Sequence, residues 1–517
     1  MPERHLDYPD VPFHELLARA AERWADSRAI VFRDRQITFA GLDAAANQLA
    51  RAWVALGLER GERVALYSPN CPEYEIGFFG STRAALVPSP LNPSYKEREV
   101  RYQLNEAGAA AIVVHESLLP VIETVRDDVP ALRHVVVIGE PAGDAVSLEE
   151  MIAGQSPTPP RITVRPDELS ALPFSSGTTG TSKGVMLTGR NLVCNATQYV
   201  DAIQSTPDDV ILIFLPLYHI YGVALMAVAV TSGAVQILME RFELAEMVRL
   251  ITEEHVTQLY VVPPVMLALA NAPDLEPARF ASLRYIQCAA APLAPDVARR
   301  VAERLQVRVI QAYGMTEASP MTHIVPLEEA AFPVGSVGRV AADTQSRIVE
   351  IETGTRNLPP GEVGEVVIRG PQVMQGYWNA PEETANALRD GWLYSGDIGM
   401  EDEDGNLFIV DRKKEMIKFK AFSIAPAELE GILLEHPAVL DCAVIAQPDA
   451  EAGEVPRAYV VLRPDQEATS DELRAFVAER VAGYKQIRAL EIVATIPRTP
   501  SGKILRRVLK EQARAVV

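Results

Sequence analysis

Apolar residues recur at helical spacing over residues 13–24, which predicts an amphipathic helix near the start of the chain. The pattern then shortens. Ala29-Ile-Val-Phe32 and Gln36-Ile-Thr-Phe39 flank Arg33-Asp-Arg35 as the arms of a hairpin would. Val64-Ala-Leu-Tyr67, Ala111-Ile-Val-Val114 and Val135-Val-Val-Ile138 are continuous apolar runs separated by helical stretches. A run with no polar face suits a strand buried on both sides, so this alternation predicts parallel sheets covered by helices. From Val334 to about Asp411 glycine and proline become frequent. Gly364-Glu-Val-Val-Ile-Arg369 and Gly405-Asn-Leu-Phe-Ile-Val410 there predict short strands of a β-rich subdomain. Beyond a basic run, helices over 426–435 and 470–482 and strands over 442–445 and 458–462 predict a small α+β domain. The expected fold class is α/β: a large domain over 1–411, a hinge over 412–415 and a small domain over 416–517.

One stretch raises the question of a membrane. Residues 210–239 contain no Asp, Glu, Lys or Arg. Pro216, His219, Gly222 and the break Thr231-Ser-Gly233 divide it, and strand, loop, buried helix, strand is the expected parse. The N-terminus shows no apolar signal region, and four scattered cysteines without a Cys-x-x-Cys pair fit a reducing cytoplasm. A net charge of −20 over 517 residues argues against nucleic acid or an anionic membrane as the main partner.

The most informative segment is Ser175-Ser-Gly-Thr-Thr-Gly-Thr-Ser-Lys-Gly184. Glycines bring backbone N–H groups close to an anion, the hydroxyls of Ser175, Ser176, Thr178 and Thr179 add donors, and Lys183 supplies a point charge for a polyphosphate. The order differs from a Walker A loop, which needs Gly-Lys-Ser/Thr. A flexible linker is the alternative, but the apolar recovery after Lys183 reads as a new buried element. Four further motifs follow. Gln311-Ala-Tyr-Gly-Met-Thr-Glu317 comes after an expected strand, and offers an aromatic ring for a base and a carboxylate for a cation. Trp392-Leu-Tyr-Ser-Gly-Asp397 places an aspartate after an expected tight turn, where a turn or cap role is the competing reading. Asp411-Arg-Lys-Lys-Glu-Met-Ile-Lys-Phe-Lys420 is a basic run, and Thr499-Pro-Ser-Gly-Lys503 puts a lysine on a turn.

Together, in this order, the motifs resemble those of the adenylate-forming (ANL) superfamily of acyl- and aryl-CoA ligases, luciferases and peptide-synthetase adenylation domains. Leu215-Pro-Leu-Tyr-His-Ile-Tyr221 and Ala290-Ala-Pro-Leu293 bring the resemblance nearest to fatty-acyl and coumarate-type CoA ligases. It implies a two-step reaction: a carboxylate attacks the α-phosphate of ATP and expels pyrophosphate, then a thiol, usually that of CoA, displaces AMP. It further implies that Ser175, Ser176, Gly177, Thr178, Thr179 and Lys183 hold the β and γ phosphates, with Tyr313 and Ala290 at the adenine. Thr316 would bond the α-phosphate, Glu317 would bind Mg²⁺, Asp397 and Arg412 would hold the ribose, and Lys503 would bridge carboxylate and α-phosphate. His219 would stand between the acyl pocket and the thiol tunnel, with Ile220, Tyr221, Ala289, Pro320 and Met321 around the acyl group. The small domain would rotate about Lys414, exchanging Lys503 for a segment with Lys418, Lys420, Ala421 and Phe422 that lines the thiol channel.

Two positions depart from the superfamily pattern. Lys420-Ala421-Phe422 stands where Lys-Gly-aromatic is usual, and a methyl there would narrow the path of pantetheine. Cys288-Ala-Ala-Ala-Pro292 stands for Ser-Gly-Ala-Ala-Pro, so Ala289 would reshape the acyl end. The expected function is ATP-dependent activation of a hydrophobic or aromatic carboxylic acid followed by CoA thioester formation. An enzyme that stops at acyl-AMP and passes it to an acyl carrier protein or partner enzyme is the alternative. A non-catalytic nucleotide-binding regulator is a third reading.

Overall fold

A computed structural model describes residues 4–175, 182–329, 332–420, 422–449, 451–464, 466–499 and 502–515. The first helix, Glu15–Arg23, forms as its spacing predicts, burying Leu16, Leu17 and Ala20. The strands Arg28–Phe32 and Arg35–Thr38 make the expected hairpin, although Phe39 opens the next helix instead of extending its strand. Thr38 caps that helix, its side chain accepting the Gly41 N–H, and the cap ends the strand one residue early.

Two helix-covered sheets make up most of the large domain. The apolar runs near 64, 111 and 135 lie side by side in an all-parallel five-stranded sheet. A nine-stranded sheet is parallel through its centre, from Arg28–Phe32 across Val235–Leu238, Val210–Ile213, Gln258–Val261 and Tyr285–Cys288 to Val309–Gly314. Residues 210–239 resolve into strand, loop, helix and strand, and the helix Ile220–Ser232 is almost wholly buried. Among the described residues no helix is long and apolar enough to cross a membrane. An antiparallel five-stranded sheet containing Gly364–Arg369, Trp392–Glu401 and Leu407–Arg412 forms the β-rich subdomain. The C-terminal part is built on another five-stranded sheet with the helices Pro426–Leu434, Ser470–Ala478 and Arg506–Ala515. Its two long strands, Val439–Asp449 and Gly453–Leu462, reach well beyond the apolar stretches that predict them, because mutual pairing extends a strand through polar residues.

One buried pair inside this core has a measurable consequence. Glu75, on the helix Pro72–Arg83, is fully buried and accepts from the Gln236 amide at 3.2 Å. Glu75 Oε1 and Gln236 Oε1 both lack a partner, which suits a protonated carboxyl, and burial pushes its pKa up to about 8 from 4.5. A folded state that holds this proton loses stability as pH rises from about 4.5 towards 8, at about 1.4 kcal/mol per unit. Glu75→Gln should flatten that slope: urea denaturation at pH 5 and 8 should show the wild type losing a few kcal/mol more than the variant.

Candidate active site

Crossovers in a parallel sheet put the loops after its strands at one edge, where ligands of such sheets bind. Four of these loops converge here. His219 follows Val210–Ile213, Val262 and Pro264 follow Gln258–Val261, Ala289 and Ala290 follow Tyr285–Cys288, and Thr316 and Glu317 follow Val309–Gly314. His219, Tyr221, Ala290, Tyr313, Thr316 and Lys503 line a common cavity, which Ile220, Ala289, Pro320 and Met321 also border. Lys503 comes from the C-terminal part. Its turn is closed by Gly502 N–H donating to Thr499 O (2.8 Å) and by the Lys503 N–H donating to Thr499 Oγ1 (3.0 Å). Gly502 has φ +82°, and a Cβ there would stand 3.0 Å from Pro264 Cδ and 3.1 Å from Val262 Cγ2. Glycine takes that backbone angle without strain and lets the turn approach the large domain closely.

Beside the cavity, Asp397 is the hub of a hydrogen-bonded set. It is 5% exposed, accepts from the Tyr313 hydroxyl at 2.7 Å and pairs with Arg412 Nε at 3.1 Å. Asp397 and Arg412 are cross-strand partners, so sheet register sets their spacing. The sequence places Asp397 after a turn and the Tyr313 motif after a strand. Both instead lie within strands, Trp392–Glu401 and Val309–Gly314, because pairing carries each strand through its glycine. Glu317 Oε1 accepts from the Tyr377 hydroxyl at 2.9 Å. Lys183 starts the strand Lys183–Thr188 opposite Ser175, its ammonium 5.4 Å from the centre of the Tyr377 ring and 3.6 Å from Glu383. Ser176, Gly177, Thr178 and Thr179 lie outside the described residues.

The electrostatics of the pocket are asymmetric. Burial first, then the Arg412 cation, lowers the Lys503 pKa to about 8, against the opposing pull of Asp397 and Glu317. Burial, with Lys503 adding to it, drives the His219 pKa down to about 3, so this imidazole is neutral. His219 Nδ1 accepts the Tyr221 N–H at 3.2 Å, capping the helix Ile220–Ser232 and leaving the ring proton on Nε2. It is at once a cap and a wall of the cavity. Ala290 holds φ +74°, a left-handed conformation unusual for a residue with a Cβ, and it falls one position after Ala289.

A family model described as AMP-binding enzyme matches residues 17–378, and one for the AMP-binding enzyme C-terminal domain matches residues 428–503. The chain belongs to the AMP-binding enzyme family. A 4-coumarate–CoA ligase of Pinus taeda is 37% identical over 518 aligned residues, covering 98% of this chain and 95% of that one. The ATP-bound structure of MatB from Rhodopseudomonas palustris is 30% identical, superposes with a TM-score of 0.91 and covers 97% of this chain and 99% of its own. The apo structure of the same protein, at the same identity and coverage, gives 0.79. Lys503 in the cavity thus accompanies an overall arrangement nearer the ATP-bound than the apo form of MatB.

The other lysine-bearing segment is elsewhere. Lys418 Nζ donates to Ser423 Oγ at 2.8 Å, Lys420 pairs with Glu451 at 3.2 Å, and Phe422 is 52% exposed and stacked on Tyr484 at 4.5 Å. None of the three lines the cavity. Lys420 itself carries the positive φ (+52°), and Ala421 lies outside the described residues. Lys414 sits in the turn after Leu407–Arg412, where Arg412 O accepts from Glu415 N–H at 2.9 Å. Sequence reasoning missed Tyr377, which positions Glu317, and Tyr199, which lines the cavity and accepts from the buried Gln287 amide. A glutamine in the strand Tyr285–Cys288, which is buried throughout, was the available signal.

Proposed function

We propose that the cavity holds the carboxylate of a hydrophobic or aromatic acid against the α-phosphate of ATP, with Lys503 between them. The chain is an AMP-forming acyl-CoA synthetase. The carrying observation for the residue roles is the convergence of Lys503 with Thr316, Tyr313 and His219 in one cavity beside the Asp397–Arg412 pair. The nucleophile is already an anion, so no general base is required. The barrier is repulsion between carboxylate and phosphate, which positioning and a cation relieve. In this reading the Lys503 ammonium bridges the two anions and Thr316 donates to the α-phosphate. Ser175 and Lys183 hold the departing pyrophosphate, Tyr313 and Ala290 border the adenine, and Asp397 with Arg412 receives the ribose hydroxyls. The carboxylate oxygen bonds to phosphorus as the pyrophosphate bond breaks. A thiolate then adds to the acyl carbon and AMP leaves.

Mg²⁺ fits this site only as a shared ion. Among the described residues no cluster of three or more metal-binding side chains exists, and Glu317 offers one carboxylate. One carboxylate plus phosphate oxygens is a common magnesium environment, and bound there the ion would neutralise charge on the triphosphate. CoA is the acceptor in this reading, favoured over a carrier protein by the named activity of the Pinus taeda relative.

Pyrophosphate release over a panel of fatty and aromatic acids, followed by CoA-dependent AMP release, tests the reading. Release with none of the acids would overturn it. The Lys503 role also sets a pH dependence. The ammonium is needed in its charged form, and its pKa in the free enzyme is lowered to about 8. kcat/KM for ATP in the first step should therefore fall roughly tenfold per pH unit above that value. A profile flat to pH 10 would remove Lys503 from the role.

A further inference from the structure

Resting on the reading of Lys503 as the cation between carboxylate and α-phosphate, we infer that Arg498, braced by Asp441, is a positioning residue that aims Lys503 into the cavity. The Lys503 side chain leaves from the peptide that joins it to Gly502, so the plane of that peptide sets the direction of the ammonium. Both polar atoms of this peptide are held. Its N–H donates to Thr499 Oγ1 at 3.0 Å, and its carbonyl accepts from Arg498 Nη1 at 2.9 Å. The first bond is internal to the turn and travels with it. The second ties the turn to the strand Val439–Asp449, because the rest of the same guanidinium is engaged there.

Arg498 Nη2 donates to Asp441 Oδ1 at 2.7 Å and Nε donates to Oδ2 at 3.3 Å, a fork in which both side chains are largely buried. Asp441 is fixed in turn, since its Oδ1 also accepts the Cys442 N–H at 2.8 Å. Other contacts secure the arms of the turn. Arg498 bridges to Ile504 across the hairpin, and the Leu505 N–H donates to Pro497 O at 2.8 Å. Arg506 anchors the following helix, donating to Val444 O at 3.1 Å and to Glu430 at 2.7 Å. The contact on the peptide before Lys503 is the one made by Arg498.

A buried ion pair is a weak source of stability, because desolvation offsets attraction. Its geometry is the better guide to its use. A guanidinium presents its N–H donors in one rigid plane, so two can grip a carboxylate while a third faces a carbonyl. An ammonium is a point charge on a flexible stem and cannot hold both partners at those angles. The charges that bear most on Lys503 are Arg412, Asp397, Glu317 and Lys414. Arg498 acts on it through the backbone. That matters because a reacting group misplaced by about 1 Å costs on the order of 10²-fold in rate.

The test is Arg498→Leu in the full chain, with the two half-reactions measured separately. Pyrophosphate release at saturating ATP and acid should fall by about 10- to 100-fold, with KM for each within about threefold of wild type. Thiolysis of supplied acyl-AMP should stay within about threefold, since that step does not use Lys503 in this reading. Without the brace Lys503 samples wetter surroundings. The alkaline limb of pyrophosphate release should therefore move up from about 8 towards the ordinary lysine value. Arg498→Lys keeps the charge and should recover only part of the rate. Asp441→Ala should slow the same step, and the double variant should be no slower than Arg498→Leu alone, as two members of one unit behave. Thermal unfolding identifies a variant that fails to fold. In that event Asp441→Asn, which keeps the shape and one oxygen, carries the test through a smaller loss confined to pyrophosphate release. Wild-type release by Arg498→Leu, or equal slowing of both half-reactions, would overturn the inference. Wild-type release by Lys503→Ala would instead sink the reading of Lys503 beneath it.

Discussion

Lys503→Ala should slow acyl-AMP formation by about 10²- to 10³-fold and leave thiolysis of supplied acyl-AMP close to the wild-type rate. The first half follows from where the ammonium stands. It is a half-buried cation in a cavity bordered by Thr316 and Tyr313, and no other lysine borders that cavity among the described residues. Removing it leaves carboxylate and α-phosphate to repel each other in surroundings that screen poorly. The second half follows from how Lys503 is delivered. Its turn touches the large domain through Gly502 on Val262 and Pro264, while Lys418 and Lys420 of the same C-terminal part face other partners. Two lysine-bearing surfaces on one body cannot occupy one cavity together, so rotation about Lys414 would withdraw Lys503 before the thiol enters. Single-turnover measurements of pyrophosphate release and of CoA-dependent AMP release separate the steps. Equal slowing of both would mean that Lys503 stays in place throughout and that no such exchange occurs.

The motifs were legible in the sequence because each is local. Ser175, Lys183 and the turn before Lys503 are short segments whose residue types state their own chemistry, and the apolar runs announced the parallel sheets. What was not legible depends on residues far apart in the chain. Tyr313 and Asp397 are 84 residues apart, and Tyr377 and Glu317 are 60 apart, yet each pair shares a hydrogen bond. Strand ends were misjudged for a related reason. Val309–Gly314 continues through a motif that looks like a loop, because neighbouring strands supply hydrogen bonds that composition does not reveal. The hydrogen bonds of Gln287 to Tyr199 and Tyr221 were hidden in the same way, since they join two helices and a strand far apart in the chain. The small domain's helix over 470–482 ends early, at Ala478, before the turn Gly483–Lys485.

Asp397→Ala should impair both half-reactions, in contrast to Lys503→Ala. The ribose is present in ATP and again in acyl-AMP, so a group that holds it serves each step. Hydrogen bonds to a charged group are worth about 1.5–3 kcal/mol, and loss of two such bonds raises KM for ATP by about 10²-fold or more. Thiolysis of acyl-AMP at subsaturating concentration should fall by a similar factor. The same substitution takes the acceptor away from the Tyr313 hydroxyl and the counter-ion away from Arg412, and so loosens the residues proposed for the adenine and ribose together. Asp397→Asn separates these effects. It keeps an oxygen for Tyr313 but drops the charge that pairs with Arg412, and should fall between wild type and alanine in ATP affinity. A thermal unfolding midpoint within a few degrees of wild type for Asp397→Asn would place its loss in binding and not in folding. If Asp397→Ala weakened adenylation alone and left thiolysis of acyl-AMP intact at low concentration, Asp397 would not be holding the part of the nucleotide common to both steps.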